Sequence, residues 1–304
     1  DCGLYQGDKF ADARNREEFG FDPKSIDVLL VTHAHIDHIG RIPKLVKEGF
    51  RGVIYSTPPT EELTELMLLD TTRILQHEAV ADGKEPIYTE RDVRDSMKLW
   101  KSHEYYTKFD ITSELSCEFK DAGHILGSAM MFLTLNGTTM VFTGDLGNSP
   151  TPLLRDTDSI KGATYLLMES VYGDRNHENR DERKEMLRTI VTESIAHGGV
   201  LLIPAFSLER TQELLFELND LVEHHRLPDV KIYVDSPLAI KATEVYRRSN
   251  KYFNTETQHI IKSGDDVFKF PRLYFTETKQ ESMEIWETKG PKVIMAGSGM
   301  ANGG

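Results

Sequence analysis

The alternation of apolar and polar positions divides the 304-residue chain into two stretches with different rhythms. In the first, "SIDVLLVT" (25–32) is a β-branched and leucine-rich run that predicts a strand ending abruptly at a histidine cluster. "IPKLVKEGF" then reads as a short helix. Residues 60–81 open on a threonine, carry two early glutamates and repeat apolar residues at helical spacing, which predicts one long amphipathic helix. "CEFKDAGHILGSAMMFLTL" reads as strand, loop, strand, with His124 in the loop. "TTMVFTGD" and "ATYLLMES" predict two further strands, each ending at a carboxylate, Asp145 and Glu169.

From about residue 176 the pattern changes. A helix over 181–196, the pair Gly198-Gly199, strand "VLLIPA", a helix over 208–225, strand "VKIYVDS" and a helix near 238–249 lead to a closing strand, "KVIMAGSGM". Such βα alternation implies a mainly parallel sheet. The charged stretch "YGDRNHENRDERKE" separates the two rhythms and sets the boundary within 170–180, giving domains of 1–175 and 176–304. Neither an internal repeat nor a low-complexity segment is visible.

Composition narrows the class. Apolar residues make up 39% and charged residues 28%, enough for a globular core. No run of eighteen apolar residues exists, so no membrane partner is expected. Lysine and arginine number 36 against 49 acidic residues, a net charge of −13, which excludes a broad basic surface as the means of holding nucleic acid. A local groove lined by metal ions remains compatible with that balance. Two cysteines far apart, Cys2 and Cys117, offer neither a disulfide framework nor a zinc knuckle and suit a reducing, cytoplasmic setting. The chain opens at Asp1 and closes on "GSGMANGG", and it reads as a segment of a longer protein.

The candidate chemistry sits in "VTHAHIDHIG" (31–40), where His33, His35, Asp37 and His38 occupy six positions. Neutral imidazoles suit zinc and the carboxylate adds a hard oxygen ligand. Four ligands in six residues crowd a single tetrahedral ion, because the adjacent Asp37 and His38 point away from His33 and His35. Two metals sharing a bridging ligand resolve the crowding, and His124 and Asp145, both near strand ends, are positioned to complete the site. A histidine-rich surface turn is the competing interpretation, and it leaves the two later residues unexplained.

"THAHIDHIGRIP" resembles the HxHxDH signature of the metallo-β-lactamase fold, "DAGHILGSAM" its next ligand motif and "FTGDLGN" the one after. "MESVYGDRNH", "IPAFSLERTQELL", "VDSPLA" and "MAGSGMANGG" resemble the β-CASP branch of nucleic-acid-processing nucleases. The resemblance implies an α/β fold: a metallo-β-lactamase αββα sandwich with an inserted parallel α/β β-CASP domain. It implies two Zn²⁺ held by His33, His35, Asp37, His38, His124 and Asp145, with Asp145 bridging and Asp1, in "DCGLYQG", orienting a ligand from behind. It implies a ribonuclease hydrolysing single-stranded RNA by a hydroxide that the two metals activate, with Asp37 and Glu169 serving catalysis, and self-association as a homodimer. Family members carry the leaving-group histidine and the last zinc ligand beyond the glycine pair ending this sequence. These 304 residues alone are therefore expected to have an incomplete second metal site and little activity.

Ser207, Ser236, Ser298 and Gly299 follow strands of the second domain, and Arg210 lies just inside a helix. Groups at such positions suit phosphate, so they are expected to cradle the RNA backbone. Helix capping is the alternative for any one serine. "GSGMANG" misses the GxGxxG spacing by one position. Arg175, Arg180, Arg183, Lys184 and Arg188 are interleaved with acids and read as a solvated helix face. His77, His103, His197, His224 and His225 read as surface residues. A thioester or lactone hydrolase of the same fold and a non-catalytic RNA-processing subunit are the alternative functions.

Overall fold

The computed structural model describes residues 1–7, 10–176 and 182–297. Arg180, Ser298 and Gly299 lie outside these. By packing, the chain divides into two compact units, Asp1–Thr151 with Asp156–Glu169, and Pro152–Arg155 with Ser170–Gly304. The division falls at the near edge of the predicted boundary window. Residues 152–155 join the second unit because the Asn254 amide donates to Leu153 O and its side chain to Pro152 O, while Arg155 donates to Lys251 O.

The first unit opens with helix α1 (Ala11–Arg16). Strand β1 (Val28–Leu30), the single turn α2 (Ile36–Ile39) and α3 (Ile42–Lys47) follow. After β2 (Val53–Ser56) comes the long α4 (Pro58–Asp82). Prolines in its first turn need no amide partner, and Gly83, in the left-handed conformation, ends it. Its buried stripe of Thr60, Leu63, Thr64, Leu68, Thr72, Leu75 and Ala79 follows the helical repeat that the sequence predicts. Helix α5 (Glu90–Met97) starts at a capping box between Thr89 and Asp92.

Strands β1, β2 and β3 (Trp100–Ser102) form a parallel three-stranded sheet. A second sheet takes β4 (Phe109–Asp110), β5 (Leu115–Asp121), β6 (Ala129–Leu135), β7 (Thr138–Phe142) and β8 (Tyr165–Leu167), in that order. Its pairings are antiparallel except β7 with β8, which is parallel. Val28–Leu30 of the first sheet and Leu115, Met131, Leu133 and Phe142 of the second line one cavity of about 880 Å³, whose wall also includes Asp1, His38, Asp145 and Glu169. The turn after β3 lays the His103 ring flat on Phe109, with centroids 3.8 Å apart, so this part-exposed residue also belongs to an aromatic cluster. His77, His197, His224 and His225 are exposed.

In the second unit α6 (Arg183–Ala196), β9 (Val200–Pro204), α7 (Arg210–Glu223), β10 (Lys231–Asp235) and α8 (Pro237–Arg248) alternate as predicted. They are followed by α9 (Thr255–Lys262), β11 (Leu273–Phe275), α10 (Lys279–Glu287) and β12 (Lys292–Ala296). The sheet order is β11-β10-β12-β9 and every pairing is parallel. Leu215, Leu218, Leu221, Val234, Ala242, Phe253 and Val293 are among its fully buried side chains.

Candidate metal centre

The cluster is assembled at strand ends of the first unit. Past β1 the chain stays extended through His33, which is wholly buried, and His35 begins α2, its carbonyl accepting from the His38 and Ile39 amides. Asp37 and His38 lie within the single turn α2, whereas His33 and the extended His35 precede it. The loop after β5 carries His124, whose amide donates to Ser128 Oγ at 3.0 Å. The turn after β7 carries Asp145. Its neighbour Gly144 has φ +56, and a Cβ there would come within 2.6 Å of the Thr32 side chain. Glycine is required at that point.

The donor atoms converge on two adjoining places. His33 Nε2, His35 Nδ1, His124 Nε2 and a carboxylate oxygen of Asp145 all lie within 4.8 Å of one another. His35 Nδ1 is 3.1 Å from both His33 Nε2 and His124 Nε2. Asp145 Oδ2 lies 3.9 Å from His33 Nε2 and 3.7 Å from His124 Nε2. The other oxygen, Oδ1, faces away to His38 Nε2 at 3.3 Å, and that nitrogen is 3.9 Å from Asp37 Oδ2.

Hydrogen bonds behind the cluster decide which ring nitrogens are free. Asp1 Oδ2 receives both the Thr32 hydroxyl and His38 Nδ1 at 2.7 Å, and Asp1 Oδ1 receives the Thr32 amide. Since Thr32 gives its only hydroxyl proton to Asp1, it accepts from His33 Nδ1 at 3.0 Å. Both rings therefore carry the proton on Nδ1 and turn an Nε2 lone pair toward the cluster. One carboxylate thus sets two tautomers, directly for His38 and through Thr32 for His33, which is the use expected of a group behind a metal ligand. Thr32 has no distinguishing signal in the sequence beyond its place immediately before the first histidine.

The arrangement fits a cation. Lone pairs of His33 Nε2 and Asp145 Oδ2 face one another without an intervening proton, and such a pair repels unless a positive charge lies between them. Around zinc, with Zn–N near 2.0–2.1 Å, tetrahedral ligand atoms stand ~3.3 Å apart, close to the 3.1 Å separations here. Burial, reinforced by neighbouring imidazoles, holds the pKa of His33 well below its ordinary value and that of His35 down to about 3. Burial lowers His124 too, partly offset by Asp145. The rings are thus neutral at physiological pH, the form that binds metal.

Glu169, past β8, borders the same cavity as Asp145. Its carboxylate accepts from the Leu146 amide at 3.2 Å and its own amide donates to Thr143 Oγ1. It is thus tied to both neighbours of the Gly144-Asp145 turn.

In the second unit Ser207 and Ser236 come together, with their hydroxyls 3.4 Å apart. Ser236 Oγ accepts from the Ala239 amide as the cap of α8. A Cβ on Gly297 would lie 2.2 Å from it. Arg210 pairs with Glu213 at 2.6 Å. The hydroxyl of Ser236 thus has a capping use, and Arg210 an internal partner.

Residues 6–113 match the family model of the metallo-beta-lactamase superfamily, and residues 211–304 that of the Beta-Casp domain. Over its whole length the chain is 38% identical to ribonuclease TTHA0252 of Thermus thermophilus, of which it spans 68%. It is 33% identical, over 93% of its length, to the RNase J-like protein of Methanocaldococcus jannaschii, spanning 63% of that protein. It is 30% identical, over its whole length, to transcription termination factor FttA of Methanosarcina mazei, spanning 48%.

Proposed function

The chain belongs to the metallo-β-lactamase superfamily, in its β-CASP branch, and from that membership we propose that it is the core of a zinc-dependent ribonuclease acting on single-stranded RNA. Relatives named as ribonucleases support the substrate class. The observation that carries the reading is the division of Asp145, one oxygen toward His33 and His124 and the other toward His38. One carboxylate facing two donor sets is the arrangement a pair of ions requires.

We assign His33, His35, His124 and Asp145 to one zinc ion, and Asp37, His38 and Asp145 to a second. When bound, the ions supply positive charge to the phosphoryl oxygens and acidify the attacking water. The protein's own part is to keep His33, His35 and His124 neutral by burial and to fix His33 and His38 by way of Asp1. Glu169 steadies the turn that aims Asp145. Among the described residues no helix is long and apolar enough to cross a membrane, and the free thiols Cys2 and Cys117 accord with a cytoplasmic site of action.

The natural-length protein, stripped by chelator and reloaded, should retain two zinc ions per chain by elemental analysis. It should cleave labelled single-stranded RNA and leave a thioester intact. Thioester hydrolysis without RNA cleavage would replace the proposed substrate. Failure to retain any divalent ion would end the reading altogether.

A further inference from the structure

Tyr5 stands where the first loop leaves the metal centre. Cys2 N–H donates to His38 O, Leu4 N–H to Ile36 O, and Arg41 N–H to Cys2 O, so residues 2–4 run alongside the turn that carries Asp37 and His38. Contact is close enough that a Cβ on Gly3 would overlap the Asp37 carbonyl. The next residue, Tyr5, is held by a buried amide. Asn15, 7% exposed, accepts from the Tyr5 N–H at 2.8 Å and donates to the Tyr5 carbonyl at 3.0 Å. Yet the side chain so pinned is 46% exposed.

Two guanidinium groups lie over that ring. Arg41 lies 4.7 Å from its centroid and also 5.3 Å from Phe19, while Arg14 lies 5.5 Å away. Arg41 is fixed by a 2.7 Å bond from Nε to Gly3 O. Among the described residues neither arginine has a carboxylate within ion-pair distance, although acidic side chains outnumber basic ones in the chain. Arg16 and Lys44, by contrast, pair with Asp12 and Glu48.

A half-exposed aromatic ring on a pinned backbone, overlaid by two guanidinium groups without acidic partners among the described residues, matches the chemistry of single-stranded nucleic acid. Such strands stack bases on aromatic rings and set phosphates against guanidinium groups. We propose that Tyr5, with Arg14 and Arg41, is a stacking platform that seats a base of the RNA strand next to the metal centre, and this rests on the nuclease reading above. An acidic protein partner would use the two charges without needing the ring.

The test uses the natural-length, zinc-loaded protein and a fluorescein-labelled oligoadenylate followed by anisotropy. Tyr5→Leu should weaken binding about tenfold, the scale of one lost stacking contact, and Tyr5→Phe should stay within about twofold of wild type. Tyr5→Trp should bind as wild type and show indole fluorescence quenched by RNA. Arg14→Gln should weaken binding and lower the salt slope by about one. Unchanged binding by Tyr5→Leu, with wild-type cleavage intact, overturns the platform and leaves the nuclease reading standing. Loss in Arg14→Gln without loss in Tyr5→Leu also overturns stacking and points to an acidic partner. A wild-type protein that neither binds nor cleaves RNA sinks the nuclease reading together with the platform.

Discussion

Both units carry polar side chains just beyond the ends of their strands, and the two sets behave differently. In the first unit ligand atoms of His33, His35, His124 and Asp145 gather within 4.8 Å of one another, and the His33 Nε2 lone pair faces a carboxylate oxygen of Asp145. In the second, Ser207 and Ser236 lie equally close, but a hydroxyl both donates and accepts. These two satisfy each other and the Ala239 amide. His33, its proton already committed to Thr32, and the ionised carboxylate it faces have no such way out. Proximity alone therefore does not mark a binding site. What distinguishes the first cluster is that His33 and the carboxylate facing it repel until something positive arrives.

The strongest way to break this contrast is to remove the shared carboxylate. Asp145→Ala deletes an oxygen from both donor sets, so zinc content should fall from two ions to fewer than one, and RNA cleavage should drop by at least about a thousandfold, the ~4 kcal/mol expected when transition-state charge loses its counter-charge. Alanine at Ser207 and Ser236 together should leave zinc content unchanged. Elemental analysis of the two variants side by side decides the matter. Two ions retained by Asp145→Ala would show that the facing lone pairs were not a ligand set.

Acid should separate the two regions next. His35 has its pKa lowered to about 3, and His33 is shifted in the same direction, so the native state refuses protons that the unfolded chain accepts below its ordinary value near 6.5. The contribution to stability is therefore complete above pH 6.5 and is lost progressively as pH falls toward about 3. For His35 alone the loss at pH 5 is on the order of 2 kcal/mol. Urea midpoints of the metal-free protein should decline between pH 6.5 and 5, and His35→Gln should flatten that decline. An unchanged slope in the variant would mean that His35 is protonated in the native state.

The same contrast explains what could be read in advance. The histidine and aspartate motifs were legible because each lies where an apolar run stops, and a run of Val, Ile and Leu is an unambiguous strand signal. The parallel order of the second unit followed from its alternation. Strands β2 and β3 and helix α5 were not legible. Strands of three or four residues are too short to display alternation, and α5 buries little beyond Val93 and Ser96. The helix predicted from residue 208 begins at Arg210 instead, because Glu209 takes φ +62, outside helical geometry. The stacking of His103 on Phe109 was not legible because it depends on a fold-level neighbour. Thr32 and Tyr5 escaped notice because their roles depend on Asp1 and Asn15, residues remote in sequence.

The smallest expected effect bears on the serines. If Ser236 serves α8, then Ser236→Ala leaves the Ala239 amide without its side-chain acceptor and destabilises the protein by ~1 kcal/mol. Affinity for RNA should not change. If instead the hydroxyl holds a backbone phosphate, RNA affinity should fall and the stability cost should grow in the presence of inorganic phosphate, because that ligand stabilises only a protein able to bind it. Ser236→Gly provides the control. Glycine is itself tolerated as a cap at a cost of a few tenths of a kcal/mol, so stability should recover in part while any phosphate contact stays lost. Parallel thermal melts and RNA titrations of the two variants thus separate an anchored helix from a substrate contact. A weakened RNA affinity common to both would extend ligand binding to the second unit and narrow the difference between the two sets of strand ends.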